Sequence, residues 1–368
     1  MKLENQNILI ISNEPWGEIW FSKHNYAFEL SKKNKVIFIN PAPRWSVKNI
    51  FKRDIIIKKE NGRLCSLSYK NILPHYFLKW NNRLVSSMIR KKLEKEGIHQ
   101  TIFWSFDPVR LFDPRQLNSF YSLFEAVDKY RLSLKAEKYL YANVDSVIVI
   151  SEDFKELYKP FGKPVLCVSH AISTEEFEPE NSASVKPVTD KNSALYIGNL
   201  DHRVDYLLIK KMAEEFPQTR FVFIGGIRET NNAVFRELFI EKKYSNVVYE
   251  GKKHFKELKH HIHACGFCIA PMALFESNTI SHHKIFQYLA MGKAVFSCRF
   301  SEYTSFAHLL YMEDDHALLI EKIKSFLSEG ENDTLKSQRI KKAREFTFDA
   351  VLQKIELFIS ETLRPGQK

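Results

Sequence analysis

Short apolar runs alternate with amphipathic stretches along the first half of the chain. An apolar run at 7–12 is followed by a helical pattern at 22–33 and by a second apolar run at 35–40. A strand, a helix and a strand in succession indicate a βαβ unit and therefore a parallel sheet. Further strands are predicted in this half at 101–105, 121–124, 146–150 and 165–168, and further helices at 79–96 and 129–141.

A polar segment at 178–192 interrupts this alternation. It contains two prolines and several small polar residues but no large apolar side chain, which is a composition typical of a linker. We therefore predict an N-terminal domain over 1–177, a linker over 178–192 and a second domain over 193–345. A helix is predicted at 346–368, and the sequence leaves open whether it packs back on the first domain.

The second half repeats the alternation of strands and helices. Its last segment, 271–299, gives a polar loop, an amphipathic helix, a closing Gly292 and a short strand. A loop that leads into a helix N-terminus offers backbone N–H groups to an anionic ligand. The chain is therefore predicted to be an α/β protein of two Rossmann-like, doubly wound domains that face each other across a ligand-binding cleft.

Composition indicates an ordinary globular protein. The chain has 368 residues, of which 44% are hydrophobic and 27% charged, enough for two cores. No apolar run approaches the roughly 18 residues that a membrane span requires, and the N-terminus is typical of a first strand rather than a signal peptide. Five cysteines without framework spacing favour a reducing cytosol.

The positive charge is concentrated at one end. The net charge is +11, and the first hundred residues hold 19 Lys and Arg against 8 Asp and Glu. A basic patch is predicted there at Lys52, Arg53, Lys58 and Lys59, interleaved along the chain with aromatic residues. Such a mixture suits single-stranded nucleic acid, a membrane interface or merely a solvated basic face.

Several segments resemble one enzyme family. HHKIFQYLAMGKAVFS is similar to the P-x-K-x-x-E-Y-L-A-x-G-K-P-V signature of group 1, family 4-like glycosyltransferases of the GT-B fold. ALYIGNLDHRVDY resembles the opening of their donor domain, and DSVIVISEDF with SHAISTEEF resembles the end of their acceptor domain. EPWGEIWFSKHNYAFEL resembles the subset that includes the teichuronic acid biosynthesis type. The pieces occur in the family's order from residue 8 to about 300.

The resemblance implies a nucleotide-sugar donor bound by the second domain and an acceptor bound by the first. Carried over by position, it implies donor contacts at Gly17, Gly198, Arg203 and Lys284. A cation that faces a diphosphate forms charge-assisted contacts and offsets negative charge on the leaving group.

Two positions of the donor signature depart from the family pattern. Thr279 and Gln287 stand where the family usually has acids, although Gln287 can still exchange hydrogen bonds with ribose hydroxyls. Both are predicted donor contacts. The candidates for acid–base or charge-stabilising catalysis are His24, at the start of the first helix, and Glu125, next to a predicted strand.

A metal site is not predicted. Cys265 and Cys268 have the spacing of a ligand pair and histidines nearby, but the second pair of a zinc site is missing, so core packing is favoured. No GxGxxG or Walker A loop is present, which counts against dinucleotide oxidoreduction and NTP hydrolysis. No cofactor is predicted.

The sequence and the resemblance together predict a glycosyltransferase (EC 2.4). It would move a sugar from a UDP- or GDP-linked donor to a hydroxyl acceptor, on a glycan or a lipid-linked carrier, in surface polysaccharide or glycoconjugate synthesis. Retention of configuration is implied by the resemblance alone. The expected location is the cytoplasm, at the inner face of the cell membrane, with an anionic membrane rather than nucleic acid meeting the basic patch.

Two alternatives remain open at this stage. A nucleotide-sugar epimerase shares the two-domain architecture but would act on free nucleotide sugar without an acceptor. A non-catalytic relative would bind nucleotide or a partner protein without turnover, and the residues at 279 and 287 motivate that alternative.

Overall fold

The chain divides into two compact units, each built around its own sheet. The structure is a computed structural model that describes residues 2–17, 20–50, 54–127, 135–174, 190–229, 231–273 and 283–363. The first unit comprises Met1–Ser169 together with Val351–Lys368, and the second comprises His170–Ala350.

The described part of the first unit contains eight strands in one sheet. They are β1 (Asn7–Ile11), β2 (Lys35–Ile39), β3 (Ile56–Asn61), β4 (Leu64–Ser68), β5 (Thr101–Ser105), β6 (Ser119–Ala126), β7 (Ser146–Val149) and β8 (Val165–Cys167). The order is β3-β4-β2-β1-β5-β6-β7-β8. Neighbouring strands are parallel, except that β3 and β4 form an antiparallel hairpin. The inner strands are buried along almost their whole length, as expected for parallel strands covered on both faces.

Four helices connect the strands of this unit. They are α1 (Ser22–Ser31), α2 (Leu78–Lys95), α3 (Lys135–Asn143) and α4 (Glu152–Tyr158). Along α2, the side chains of Val85, Ile89 and Leu93 are buried. Their spacing of four residues places them on one face of the helix, which is the face packed against the core.

The second unit contains six parallel strands. They are β9 (Asp190–Ile197), β10 (Arg220–Ile224), β11 (Val247–Gly251), β12 (Cys265–Ala270), β13 (Val295–Ser297) and β14 (Tyr311–Met312). Their order, β11-β10-β9-β12-β13-β14, is the 3-2-1-4-5-6 arrangement of a doubly wound sheet. Its helices are α5 (Tyr206–Glu215), α6 (Ala233–Phe235), α7 (Phe255–Ala264), α8 (His283–Ala290), α9 (His316–Glu329) and α10 (Asp333–Ala343).

The C-terminal helix, α11 (Phe348–Thr362), begins in the second unit and continues into the first. The N–H of Leu3 donates to the Glu356 carboxylate at 3.0 Å. The hydroxyls of Tyr121 and Thr362 also share a hydrogen bond. The end of the chain is thereby tied to β6 and to the residues that precede β1.

Three details differ from the sequence-based prediction. The last residues of the predicted linker, from Asp190, already belong to β9, because Cys265 of β12 pairs with Asp190; 175–189 lie outside the described residues. The stretch before α2 contains the β3–β4 hairpin, whose two-residue Gly62-Arg63 turn, with glycine at its first position, is a hairpin signal that the prediction did not use. The stretch 233–243, whose sequence pattern predicts a single helix, forms a short α-turn at Ala233–Phe235 followed by a π-helix at Arg236–Ile240.

Within the described ranges, no helix combines the length and the apolar character that crossing a membrane would require.

The ends of β9 and β10 approach each other through bare backbone. A Cβ atom at Gly225 would lie 1.9 Å from the carbonyl oxygen of Gly198, and the φ of Gly225 is +149°. The N–H of Gly198 donates to the carbonyl of Ile224 at 2.8 Å. Only glycine fits at residue 225 without moving one strand end away from the other.

We therefore expect Gly225→Ala to lower the free energy of unfolding by about 3 kcal/mol, through steric overlap and backbone strain. Gly251→Ala is the matched control, since Gly251 has a φ of +76° but open space around its Cβ position. That control should lose only about 1 kcal/mol. Urea-induced unfolding measures both free energies. Equal losses in the two variants would show that the overlap with Gly198 does not add to the cost of the substitution at residue 225.

Candidate functional site

The candidate site lies at the carboxyl end of β9, in the second unit. The strand order reverses between β9 and β12, and open α/β sheets bind ligands at such a switch point. Gly198 directly follows β9 with a φ of +155°. The predicted donor contact at Gly198 thus falls where the fold favours a ligand.

Lys284 lies in the first turn of α8, beside this backbone. Its Nζ atom is 4.0 Å from the centroid of the Tyr196 ring, and a Cβ atom at Gly198 would lie 2.9 Å from Nζ. Among the residues that the structure describes, Lys284 forms no hydrogen bond or ion pair. The half-buried ammonium therefore contacts an aromatic ring and bare backbone but no counter-charge.

This environment disfavours the charged form of Lys284. Burial, and then the positive charge of Arg203, lower the pKa of Lys284 from its ordinary range to about 7. The positive end of the α8 dipole acts in the same direction. A bound anion would reverse all three effects by supplying the missing counter-charge.

Arg203 lies near Lys284 but is already paired. Its Nε and Nη2 atoms donate to the two carboxylate oxygens of Asp201 at 3.1 and 2.7 Å. Burial alone would raise the pKa of Asp201, but the hydrogen bonds from Arg203 lower it below its ordinary value. The local salt bridge thus neutralises much of the Arg203 charge. Among the described residues Lys284 has no ion-pair partner, and the charge of Asp201 only partly offsets the lowering of the Lys284 pKa.

Helix α8 is fixed so that Lys284 and Gln287 share one face. The N–H of Ile197 donates to the Tyr288 hydroxyl at 2.8 Å, which ties α8 to the end of β9. Gln287 is half-buried, one turn beyond Lys284, and its amide forms no hydrogen bond within the described part of the chain. Thr279 lies outside the described residues. The second unit therefore brings together four of the predicted donor contacts: Gly198, Arg203, Lys284 and Gln287.

Gly17 lies in the loop after β1 of the first unit. Its carbonyl accepts a hydrogen bond from Trp20 Nε1 at 3.0 Å. A Cβ atom at this position would meet nothing within 4 Å, and its backbone does not have a positive φ. The loop conformation itself therefore does not require glycine at residue 17.

His24 is buried, with both ring nitrogens engaged. Nδ1 accepts from the N–H of Phe21 at 3.1 Å, so Nε2 carries the proton and donates to the Pro15 carbonyl at 3.0 Å. Burial lowers the pKa of His24 to about 4, so the ring is neutral at physiological pH. Neither nitrogen is open to a substrate in this arrangement, so the acid–base chemistry predicted at His24 stays a prediction that would require one of these hydrogen bonds to open. The side chain holds the loop after β1 against α1.

Glu125 lies at the carboxyl end of β6, with 2% of its surface exposed. Its Oε2 accepts a hydrogen bond from Trp104 Nε1 at 2.8 Å. Burial raises the pKa of Glu125 to about 8, so the carboxyl group is largely protonated at neutral pH. The predicted catalytic Glu125 is thus a neutral hydrogen-bonding group inside the core rather than an accessible carboxylate.

Sequence reasoning missed the aromatic neighbours that shape the candidate site, whereas a local salt bridge of Arg203 with Asp201 is an alternative that the sequence already offers. Tyr196 is buried under Lys284, and its hydroxyl donates to the carbonyl of Asn199 at 3.1 Å. Asp201 and Tyr288 fix Arg203 and α8, as described above. The signal available in the sequence was the tyrosine one residue before the end of the strand, within YIG.

The cysteine pair packs in the core. Cys265 and Cys268 are buried, with their Sγ atoms 3.7 Å apart. Across the described ranges, no group of three or more His, Cys, Asp or Glu side chains is arranged to hold a metal ion.

Comparison with known proteins gives one curated relative. No profile of a known protein family matches the chain. The chain is 24% identical over 196 residues to the putative teichuronic acid biosynthesis glycosyltransferase TuaH of Bacillus subtilis. That match covers 51% of this chain and 49% of the relative, so it spans about half the length of each.

Solved structures share the whole fold. Sucrose-phosphate synthase from Thermosynechococcus elongatus matches with a TM-score of 0.70 at 15% identity, over 97% of this chain and 99% of that chain. The catalytic domain of Arabidopsis thaliana starch synthase IV, bound to ADP and acarbose, gives 0.66 at 10% identity, over 98% and 100%. An Escherichia coli trehalose-6-phosphate structure bound with UDP-2-fluoro glucose gives 0.65 at 12%, over 98% and 99%. These likenesses confirm the predicted α/β fold of the GT-B type.

The buried carboxyl group generates a prediction about pH. In the unfolded chain Glu125 ionises near its ordinary pKa, whereas in the folded chain it stays protonated until about pH 8. The folded state therefore binds more protons at Glu125 in this window, so the contribution of Glu125 to stability falls as pH rises from about 5 to 8. Glu125→Gln keeps a hydrogen-bond acceptor for Trp104 and removes this pH-dependent contribution to stability.

We expect the variant to gain stability relative to wild type as pH rises, by at most ~1.4 kcal/mol per pH unit. Unfolding in urea at a series of pH values measures the difference. Glu241→Gln, at an exposed position of the second unit, is the control and should follow the wild-type curve. Parallel curves for Glu125→Gln and wild type would mean that Glu125 is ionised in the folded state.

Proposed function

We propose that this protein is a glycosyltransferase that moves a sugar from a nucleotide-diphosphate sugar to a hydroxyl acceptor, in the synthesis of a surface polysaccharide or glycoconjugate. The observation that carries the proposal is the uncompensated ammonium of Lys284 beside the bare backbone of Gly198. The likeness to the Bacillus subtilis relative supports it, as do the nucleotide ligands of two structural neighbours, ADP and UDP-2-fluoro glucose.

A diphosphate would supply the negative charge that this site lacks, and its size suits the open space beside Gly198. Its oxygens can accept charge-assisted hydrogen bonds from Lys284, and the absence of a Cβ atom at Gly198 leaves room beside Nζ. Arg203, held by Asp201, adds a second cation at the edge of the same site. Gln287, and Thr279 in the preceding loop, are proposed to contact the ribose or sugar hydroxyls.

The same cation supplies the chemistry proposed for the transfer. When the bond between the sugar and the diphosphate breaks, negative charge grows on the departing phosphate oxygen. An ammonium already in place stabilises that charge without reorganisation during the reaction. The new bond forms between the anomeric carbon and the acceptor oxygen, whose proton passes to the departing phosphate. Retention of configuration is part of the proposal.

In the first unit, His24 and Glu125 are proposed to act by holding neighbouring groups in place. His24 fixes the loop that contains Gly17, and this loop is the proposed second contact with the donor. Glu125 is buried, so its proposed influence runs through Trp104, to which it is hydrogen-bonded. Because the acceptor of such enzymes can be carried on lipid, we place the protein in the cytoplasm at the inner face of the membrane. Nucleic acid is not a proposed partner.

Of the predicted basic patch, Lys58 and Lys59 lie exposed on the edge strand β3. Lys52 and Arg53 lie outside the described residues. The patch remains a proposed contact with an anionic membrane.

Simple assays distinguish the proposed transferase from two alternatives. A nucleotide-sugar epimerase would convert free nucleotide sugar without an acceptor and without releasing nucleotide. A non-catalytic relative would bind nucleotide but release no sugar. A transferase should slowly hydrolyse one UDP- or GDP-sugar when no acceptor is present, because water can then replace the acceptor hydroxyl.

The nucleotide of the donor should stabilise the protein. At a ligand concentration a hundred times the dissociation constant, one of UDP, GDP, ADP and CMP should add about 2.7 kcal/mol to the stability, visible as a rise in melting temperature. Lys284→Ala should abolish the response, whereas Lys211→Ala, an exposed lysine of α5, should keep it. A protein that responds to none of the four nucleotides would contradict both the transferase and the epimerase.

Donor affinity should also depend on pH through Lys284. The diphosphate favours the ammonium, whose pKa without ligand is about 7. Above that pH the protein must take up a proton to bind, so affinity should fall by up to about tenfold per pH unit between pH 7.5 and 9.

Lys284→Arg keeps the charge over this range and should give a flat profile. Calorimetry in buffers of different ionisation enthalpy measures the proton uptake directly. Equal proton uptake in wild type and Lys284→Arg would assign the dependence to another group.

A further inference from the structure

A solvent-exposed aromatic surface lies on the first unit, remote in sequence from the candidate site. It consists of Tyr76, Phe77, Trp80 and Leu84, on the 3₁₀ turn His75–Phe77 and the first turns of α2. Their exposed fractions are 82%, 54%, 63% and 43%. Large apolar side chains rarely cluster in water without a partner. We call these four residues the aromatic surface.

The chain around the aromatic surface carries charge of one sign only. Residues 61–93 contain no Asp or Glu. They contain seven cations: Arg63, Lys70, Lys79, Arg83, Arg90, Lys91 and Lys92. Arg83 and Lys91 are exposed and form no ion pair with any described residue. The partner that complements this segment is therefore anionic.

Helical geometry aligns the aromatic and basic positions. At about 100° per residue, Trp80, Leu84 and Lys91 fall within roughly 40° of one another around α2. At 1.5 Å per residue, Lys91 lies about 16 Å along the axis from Trp80. The outer face of α2 therefore changes from aromatic at its N-terminal end to basic at its C-terminal end, opposite the buried Val85, Ile89 and Leu93.

The aromatic surface is held in place before any partner binds. Asn81 Oδ1 accepts from the N–H groups of Ile72 and Leu73 at 2.8 and 2.9 Å, which fixes the segment that leads into the turn. Asn82 Oδ1 accepts from the N–H of Phe112 at 3.1 Å, which anchors α2 to the core. Such preorganisation lowers the entropy that binding must otherwise overcome.

We propose that the aromatic surface docks on an anionic lipid bilayer, with Tyr76, Phe77 and Trp80 in the headgroup region and Arg83 and Lys91 against the lipid charges. Tryptophan and tyrosine favour the membrane interface because an apolar ring and a polar group are accommodated together there. Cations beside them gain from the negative surface potential. The choice of a membrane as the partner rests on the proposed function. The inference assigns the main membrane contact to α2 rather than to the basic patch.

Flotation with vesicles, without nucleotide or acceptor, tests the proposal independently of transfer. Wild-type protein should bind phosphatidylglycerol-containing vesicles and not pure phosphatidylcholine vesicles. The triple variant Tyr76→Ser/Phe77→Ser/Trp80→Ser should weaken binding roughly tenfold or more. Arg83→Glu/Lys91→Glu should weaken it by at least about fivefold per position and remove its dependence on salt.

Matched controls use equally exposed positions elsewhere. Leu357→Ser, on α11, removes an apolar side chain that is 62% exposed. Lys211→Glu/Lys341→Glu, at exposed positions of α5 and α10, reverses two charges in the second unit. Both controls should float like wild type. Melting temperatures and nucleotide responses equal to wild type would show that all variants are folded and that the donor site is intact.

A direct readout of insertion comes from quenching by brominated lipids. The protein has 5 tryptophans, so the fluorescence of wild type is compared with that of Trp80→Phe, which should still float but lose most of the quenching. Flotation without loss in the aromatic triple variant would overturn the proposal.

Three other results would also overturn it. The first is a larger effect of Lys58→Glu/Lys59→Glu than of the α2 variants. The second is no binding of wild type to anionic vesicles at low salt. The third is wild-type self-association that the triple variant abolishes. Failure of vesicle binding with a normal nucleotide response would leave the proposed transferase standing.

Discussion

The site depends on one steric constraint, the contact between the backbones of Gly198 and Gly225. The strand ends can approach this closely because Gly225 has no Cβ atom. The approach brings the Gly198 N–H to the carbonyl of Ile224 and leaves open backbone where Lys284 Nζ is seated. A side chain at Gly225 would separate the strand ends, and a side chain at Gly198 would fill the space beside the ammonium. The position of the Lys284 ammonium therefore depends on the absence of a Cβ atom at Gly198 and at Gly225.

Lys284 illustrates how local instability and ligand binding are linked. Burial, the neighbouring Arg203 and the positive end of α8 all disfavour the ammonium, and the Asp201 carboxylate that could relieve it is engaged by Arg203. The folded protein tolerates this because α8 is held by its apolar face and by the hydrogen bond between Ile197 and Tyr288. An anionic ligand would relieve the same strain, so part of its affinity originates in the unliganded protein.

The sequence predicted the fold well because the spacing of apolar residues and the order of strands and helices can be read from short stretches of the chain. Apolar runs and amphipathic stretches located most strands and helices, and the alternation indicated two doubly wound sheets. The donor signature located Lys284 and Gln287 on one face of α8. The edge hairpin β3–β4 and the early start of β9 were missed, because pairing partners such as Cys265 for Asp190 are distant in sequence. Local patterns do not encode such partners.

The catalytic roles predicted for His24 and Glu125 remain predictions, and they depend on accessibility. Residue type indicates which chemistry a side chain can perform, but not whether the fold leaves it accessible. His24 uses both nitrogens to hold a loop, and Glu125 is protonated inside the core. The titratable groups predicted in the first unit are thus satisfied internally, while the cation of the second unit is not. A cation without a counter-charge is the feature expected of a site that stabilises a leaving phosphate, and such a site needs no acid at residue 287 to do so.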